Sequence, residues 1–461
     1  MIEIKEGQVE ALFEKVIQGL QNNEDARLVS ITKKIQPIDA LEFYQRASYM
    51  GKNRTYWTNS NRSLYLVGVG ETFEITAAQS RFKETKQKWD KLLEQAVIHN
   101  PYKLPGTGVT ALGGMSFDPK KETTELWKHF KPSQFTIPEF QLTIYQGESY
   151  YTINVLINKD DHSGQLAASI QRMEETLFQT IQVEPESLTI EKKVEINPER
   201  WKETVRAATS EILNKKVEKI VLAREVRLSF DKQVKSSVVI DKLLDTQANS
   251  YIFAFEKNNH CFIGATPERL VKVEQDNLLS TCLAGTAPRG ETREEDERIS
   301  EELLHDQKNR EEHDFVVQMI KQAIKDHCTD LVIPDEPVVY PLKNLQHLYT
   351  PVTAKLKEGY SIFDIIEQLH PTPALGGTPR EESLAFIREN ELLDRGWYGA
   401  PVGWLDSNQN GEFAVAIRSG LIHGDTASLF AGCGVVKDSD PEAEYEETNI
   451  KLMPMLSVLG G

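Results

Sequence analysis

The stretch that most constrains the fold of this chain runs from residue 395 to residue 455. It reads RGWYGAPVGWLDSNQNGEFAVAIRSG and continues LIHGDTASLFAGCGVVKDSDPEAEYEETNIKLMPM. Runs at 411–419 and 427–432 have strand character, with a turn at His423 and Gly424 between them. The fold must therefore accommodate a hairpin that presents Arg418 and a GCG turn, with an acidic helix directly after it. Gly432 and Gly434 let backbone approach a ligand closely, because no side chain stands in the way. Asp440 is placed to cap the helix, Pro441 suits its first turn, and the periodic segment continues through Leu452. Glu444, Glu447 and Lys451 are three and four residues apart and share one helix face. A solvated face with an ordinary ion pair is the plain reading. The preceding glycine turn argues for more. Two carboxylates on one face can offer oxygens to a hard divalent cation, and Mg2+ needs only one or two of them when substrate and water fill its other positions.

Charge and cysteine usage narrow the partners. The net charge is −17, with no basic tail or stripe, which excludes a nucleic-acid binder. Cys261, Cys282, Cys328 and Cys433 include no CxxC pair, which argues against structural zinc and fits a reducing compartment. The N-terminal MIEIKEGQVEALFEKVIQGL is acidic and amphipathic, unlike a secretory signal or transit peptide. No run of 18 apolar residues occurs. The expectation is a cytoplasmic protein without membrane association.

In chain order, helices are expected at 9–22, 77–99 and 164–181. Strands are expected at 27–36, within 44–78, at 109–117 and in a hairpin over 135–157. The charged run 184–197 reads as a lobe boundary, separating a portion 1–190 from a portion 191–461. A helix from Asn197 and Pro198 leads to the alternating strand KIVLAREVRLSF, in which Lys219, Val221, Ala223 and Glu225 share one side. Strands at 249–256 and 261–265 follow, and Glu268 lies just after Pro267 at the mouth of a turn. Residues 292–327 read as mostly helix, with Glu312, Val316, Met319 and Ala323 on one side. Glu312 then sits at the edge of an apolar face. An exposed surface glutamate is the default there, but a carboxylate leaning toward a core needs a partner, and a metal would serve. Residues 337–356 read as a linker before a helix at 362–369. HPTPALGGTPR reads as a rigid loop able to wall a pocket.

Several chemistries drop out. No GxGxxG joins a strand to a helix, no GxxxxGK[ST] loop is present, and no nucleophile elbow occurs. Cys433 has no positioned base and reads as a small buried residue.

Ten motifs in order, EKIVLARE, GATPERL, LAGTAPRG, EEHDFVV, HLYTPV, HPTPALGG, RGWYGAPVG, AIRSG, FAGCGVV and EYEETNIKL, resemble the chorismate-utilising enzymes. The match covers about 217–452, and its details resemble the isochorismate synthases of the menaquinone-associated type. The resemblance implies an α+β fold like that of aminodeoxychorismate synthase, with large antiparallel sheets packed face to face and helices outside. Residues 1–190 would be a variable portion of the same assembly, and 191–461 the chorismate-binding catalytic region. It implies Mg2+ bound through Glu312 and Glu447 with Glu444 close by, Lys219 as general base and Glu268 as general acid. Arg418 and Tyr398 would receive the pyruvyl carboxylate, and Lys451 would lie near the metal end. Gly285, Thr286, Ala374, Leu375, Gly432 and Gly434 would form pocket walls, with His347 bordering the ring.

Such chemistry makes demands. Lys219 must be held partly neutral, by burial or by cationic neighbours, and Glu268 must be protonated, by desolvation or a nearby carboxylate. Where adduct-forming relatives carry lysine before GT, this chain has Ala284. A salicylate synthase is the enzymatic alternative, and a silent chorismate-binding protein the non-enzymatic one. With water as nucleophile, no glutamine amidotransferase subunit is called for, and a monomer suffices.

Overall fold

Alternating strands broken by short turns pair into two sheets in the computed structural model, which describes residues 6–179, 188–342 and 345–461. The larger sheet has 13 strands and the smaller has 10. Among the described residues every pairing is antiparallel except that of Arg27–Ile35 with Val97–His99. Each sheet takes strands from both portions of the chain. Arg54–Thr58 pairs with Tyr251–Lys257 in the larger, and Thr110–Met115 with Pro401–Asp406 in the smaller. The end of the expected helix 164–181 and the start of the boundary 184–197 lie outside the described residues.

The inner faces of the sheets meet in an aromatic layer. Trp57 and Phe253 of the larger sheet and Trp404 and Val402 of the smaller belong to one buried cluster with Trp127 and Trp397. Helices cover the outer faces, so the architecture is the expected α+β one with facing antiparallel sheets. Phe13, Phe43, Val205, Val239, Ile240 and Met455 cover the larger sheet, and Val317 and Phe363 cover the smaller. No helix among the described residues is long and apolar enough to cross a membrane. All four cysteines are free and buried.

Two expectations are corrected. The run 411–419 is two strands, Gly411–Val415 in the smaller sheet and Ser419–His423 in the larger. Between them Arg418 takes a left-handed backbone conformation (φ 50°), which breaks the strand. The hairpin through His423 and Gly424 joins Ser419–His423 to Thr426–Val435. The expected linker 337–356 contains the strands Val338–Pro341 and Leu345–Leu356. The second run carries Pro351. It faces Thr281 on one side, and on the other it falls in the gap between two short strands that pair at Tyr349 and at Thr353. Its missing N–H therefore breaks no ladder there.

A buried ion pair ties the glycine-rich loop to the sheet. Arg395 and Glu391 are almost fully enclosed and pair through two bonds of 2.7 Å. Arg395 also donates to the carbonyls of Leu375 (3.0 Å) and Val221 (2.7 Å), and Glu391 accepts from the Ala223 N–H (2.7 Å). Arg395→Met leaves Glu391 buried and unpaired, so it is expected to cost about 3–5 kcal/mol in urea unfolding. A loss below about 1 kcal/mol would show that the pair does not brace the loop.

Candidate functional site

Two of the crossings between the sheets run side by side, and the candidate residues gather there. His260–Thr266 of the larger sheet passes through Pro267 and Glu268 into Arg269–Glu274 of the smaller. Gly411–Val415 returns through Arg418 to Ser419–His423. The crossings bond to each other, Val415 N–H to the Glu268 carbonyl (3.0 Å) and Ala265 N–H to the Arg418 carbonyl (3.1 Å). Both candidate side chains are thus set by sheet register rather than by a flexible loop.

Glu268 is part-buried at the floor of this cleft. Burial pushes its carboxyl up to about 7, against the opposing pull of Arg418 and Lys451. Arg418 is depressed by burial and feels Tyr398, Glu268 and Glu447. Its Nη1 donates to the Lys451 carbonyl at 3.4 Å. Tyr398 is buried, raised by that burial and opposed by Arg395 and Arg418.

Lys219 begins the strand Lys219–Phe230, whose backbone is clamped by the loop at Gly377 and Thr378. A Cβ at Gly377 would stand 2.1 Å from the Lys219 carbonyl, so the clamp requires glycine. The Lys219 side chain runs beside Gly434, where a Cβ would meet its Cε at 2.6 Å, and its Nζ pairs with Glu312 at 3.1 Å. The charged group on the amine is therefore an acid, where the chemistry was expected to need burial or cations.

Glu312 itself is half exposed. The buried stripe of its helix, Gln307–Ile324, is His313, Val317, Ile320 and Ile324, one position on from the expected one. The His313 ring is the reason. Its nitrogens meet the Ala284 carbonyl (3.0 Å) and the Thr350 hydroxyl (2.7 Å), so the imidazole goes inward and Glu312 is turned to the rim.

The C-terminal helix Pro441–Val458 starts as expected, with Asp440 accepting from the N–H groups of Glu442 and Ala443. Lys451 pairs with Glu447 and donates to the Gly432 carbonyl at 3.1 Å. Glu444 accepts from the Ser439 hydroxyl at 2.6 Å, while its Oε2 is buried with no partner among the described residues. Gly432 and Gly434 lie open to the cleft between the buried Ala431, Cys433 and Val435.

The remaining wall comes from a bulge at Gly285 (φ 77°) in Asn277–Pro288. Thr286 Oγ1 lies 2.9 Å from His347 Nδ1, and burial with Arg418 close by lowers the His347 ring to about 4, so it is neutral at pH 7. Ala374 lines a small cavity together with Glu268. The Leu375 side chain is in the core, and its carbonyl accepts from Arg395. Sequence reasoning passed over Asn309, whose Oδ1 accepts from the Thr286 N–H at 3.1 Å. Its position one turn before Glu312 was the available signal.

The three acids offer hard oxygen donors from two helices, and the orphaned Glu444 Oε2 is a vacant acceptor, which is chemistry that suits Mg2+. They are not a ready-made cage. No group of three His, Cys, Asp or Glu side chains among the described residues is assembled to hold a metal, and lysines occupy Glu312 and Glu447.

The crossing strands thus bring a protonatable acid, a lysine and acids from two helices to one cleft of the α+β fold. Comparison with known proteins agrees. A family model described as chorismate binding enzyme matches residues 13–460, and the chain belongs to that family. The isochorismate synthase MenF of Bacillus subtilis is 42% identical over 444 residues, covering 95% of this chain and 94% of that protein. The salicylate biosynthesis isochorismate synthase of Pseudomonas aeruginosa is 34% identical over 457 residues, covering 97% and 94%. The structure of MenF, the menaquinone-specific isochorismate synthase from Escherichia coli, shares the fold with a TM-score of 0.81 at 24% identity, covering 97% of this chain and 99% of that one.

Proposed function

We propose that this protein is an isochorismate synthase, an isomerase that converts chorismate to isochorismate. Water adds at ring C2 and the C4 hydroxyl leaves as the double bonds shift, so one water enters and one departs. Lys219, released from Glu312 and deprotonated, takes a proton from the incoming water. Glu268 gives its proton to the departing hydroxyl, and solvent restores both groups. Arg418 and Tyr398 receive the pyruvyl carboxylate, and His347 and Thr286 border the ring. Glu312 and Glu447, with Glu444, would hold a Mg2+ ion, which when bound neutralises and fixes the ring carboxylate.

The observation that carries this reading is Glu268, whose carboxyl is raised to about 7 in the same cleft as Lys219. The neutral Ala284 before Gly285 fits water addition, because it leaves no amine there for an adduct. No ammonia-supplying subunit is required, and the long N-terminal portion fits the menaquinone-associated type.

Purified protein given chorismate and Mg2+ without ammonia is expected to yield isochorismate. EDTA should stop the reaction, and excess Mg2+ should restore it. Salicylate or anthranilate as the main product, or no turnover, would overturn the assignment; undiminished turnover in EDTA would remove the metal from it.

A further inference from the structure

Three consecutive residues of the cleft wall are gripped by one helix. In the strand Asn277–Pro288, Ala284 pairs with Leu348 and Thr286 with the adjacent His347, so Gly285 is the extra residue of the bulge. The helix Gln307–Ile324 lies against it, and its side chains take the backbone groups on either side. Asn309 Oδ1 accepts from the Thr286 N–H at 3.1 Å, and the His313 Nδ1 meets the Ala284 carbonyl at 3.0 Å. Between these contacts the helix backbone closes on Gly285 itself, where a Cβ would come within 3.2 Å of the Asn309 carbonyl.

The chemistry of the partners fixes the direction of both contacts. A carbonyl only accepts, so His313 Nδ1 carries the proton, and Nε2 is left to accept from the Thr350 hydroxyl at 2.7 Å. A carboxylate only accepts as well. Asp306 therefore takes the Asn309 Nδ2 hydrogen at 2.7 Å, which turns Oδ1 toward Thr286. Neither side chain can rotate without leaving two partners unpaired, and His313 is only 1% exposed.

Asn309 and His313 are four apart and share one helix face, and Glu312 lies between them in sequence. The rotation and height of the helix against the wall are thus set at the bulge. On the wall side, Thr286 passes the constraint to His347 through the 2.9 Å contact of its hydroxyl. We propose that Asn309 and His313 are positioning residues for the reaction assigned to the cleft, and the inference rests on that assignment. They hold Glu312, at the ring-carboxylate end, at a fixed distance from Thr286 and His347 at the ring border. Lys219 and Glu268 belong to segments that make neither contact, so loss of the clamp falls on substrate binding rather than on proton transfer.

The test is steady-state kinetics at saturating Mg2+, together with calorimetric titration of chorismate into Glu268→Gln, which needs no turnover. Asn309→Ala removes one contact at a partly exposed first turn, where the fold is not at risk. It should raise KM for chorismate by about tenfold or more, leave kcat within about threefold, and weaken chorismate binding to Glu268→Gln as much. His313 is buried, so two of its variants are compared. An asparagine amide nitrogen reaches the place of ring Nδ1, and a glutamine one reaches the place of Nε2. His313→Asn should therefore hold KM within about threefold of wild type, while His313→Gln raises it about tenfold. A merely structural role would lower the folded fraction, and with it the apparent kcat, and leave KM where it was. Unchanged KM in Asn309→Ala, or equal KM in the two His313 variants, would overturn the clamp alone. A wild-type protein that neither binds nor converts chorismate would overturn the assignment and the clamp with it.

Discussion

Lys219→Ala is expected to abolish isochorismate formation while the protein stays folded. The backbone argument comes first. Lys219 is held by its main chain, through pairing with Thr378, through Ser383 Oγ donating to its carbonyl at 3.0 Å and through the close approach of Gly377, and none of these needs the side chain. The side chain is 26% exposed and its partner Glu312 is 48% exposed, so losing the ion pair changes stability by well under about 1 kcal/mol. Activity responds quite differently. A positioned general base typically contributes about 10²–10⁴ in rate, and without it the water has no acceptor for its proton. Lys219→Arg is expected to be equally inactive, because a guanidinium keeps its charge and pairs with Glu312 without being able to take a proton. Circular dichroism and chorismate consumption, measured on both variants, check this. Wild-type turnover in either would reject Lys219 as the base.

That expectation also shows where the sequence was legible. The cap at Asp440, the strand Lys219–Phe230 and the hairpin of Tyr251–Lys257 with His260–Thr266 all follow local rules, and they stand where the residue pattern puts them. The crossing at Arg418 was hidden because both arms are apolar and alternate in phase. Local patterning cannot tell one long strand from two that lie in different sheets. The rotation of Gln307–Ile324 was hidden because a histidine counts as polar until its two partners, Ala284 and Thr350, are brought in from distant strands. The same limit applies to charge. Lys219 and Glu312 are 93 residues apart, and no spacing rule reveals that each is the other's counter-ion in the cleft.

Glu268→Gln is expected to separate chemistry from binding and from stability. The amide matches the carboxyl in shape but has no acidic proton for the departing C4 hydroxyl. Turnover should therefore fall by about 10²–10⁴ while chorismate still binds. In the wild type the proton is held up to about pH 7, so the alkaline limb of kcat/KM should decline as pH rises through about 7. Stability carries an independent signature with a definite sign. The folded carboxyl titrates at about 7 and the unfolded one near its model value of 4.5. Between those values the folded state holds a proton that the unfolded state has released, so wild-type stability falls as pH rises across that window. Above it the full cost of keeping an ionised carboxylate in a desolvated place remains, up to about 3 kcal/mol. Glutamine carries no charge at any pH and avoids that cost. Thermal unfolding should therefore show Glu268→Gln more stable than wild type at pH 8, with the advantage shrinking toward pH 4.5. A variant equally stable at both ends would mean that burial does not hold the proton on Glu268, and an active one would mean that another group supplies it.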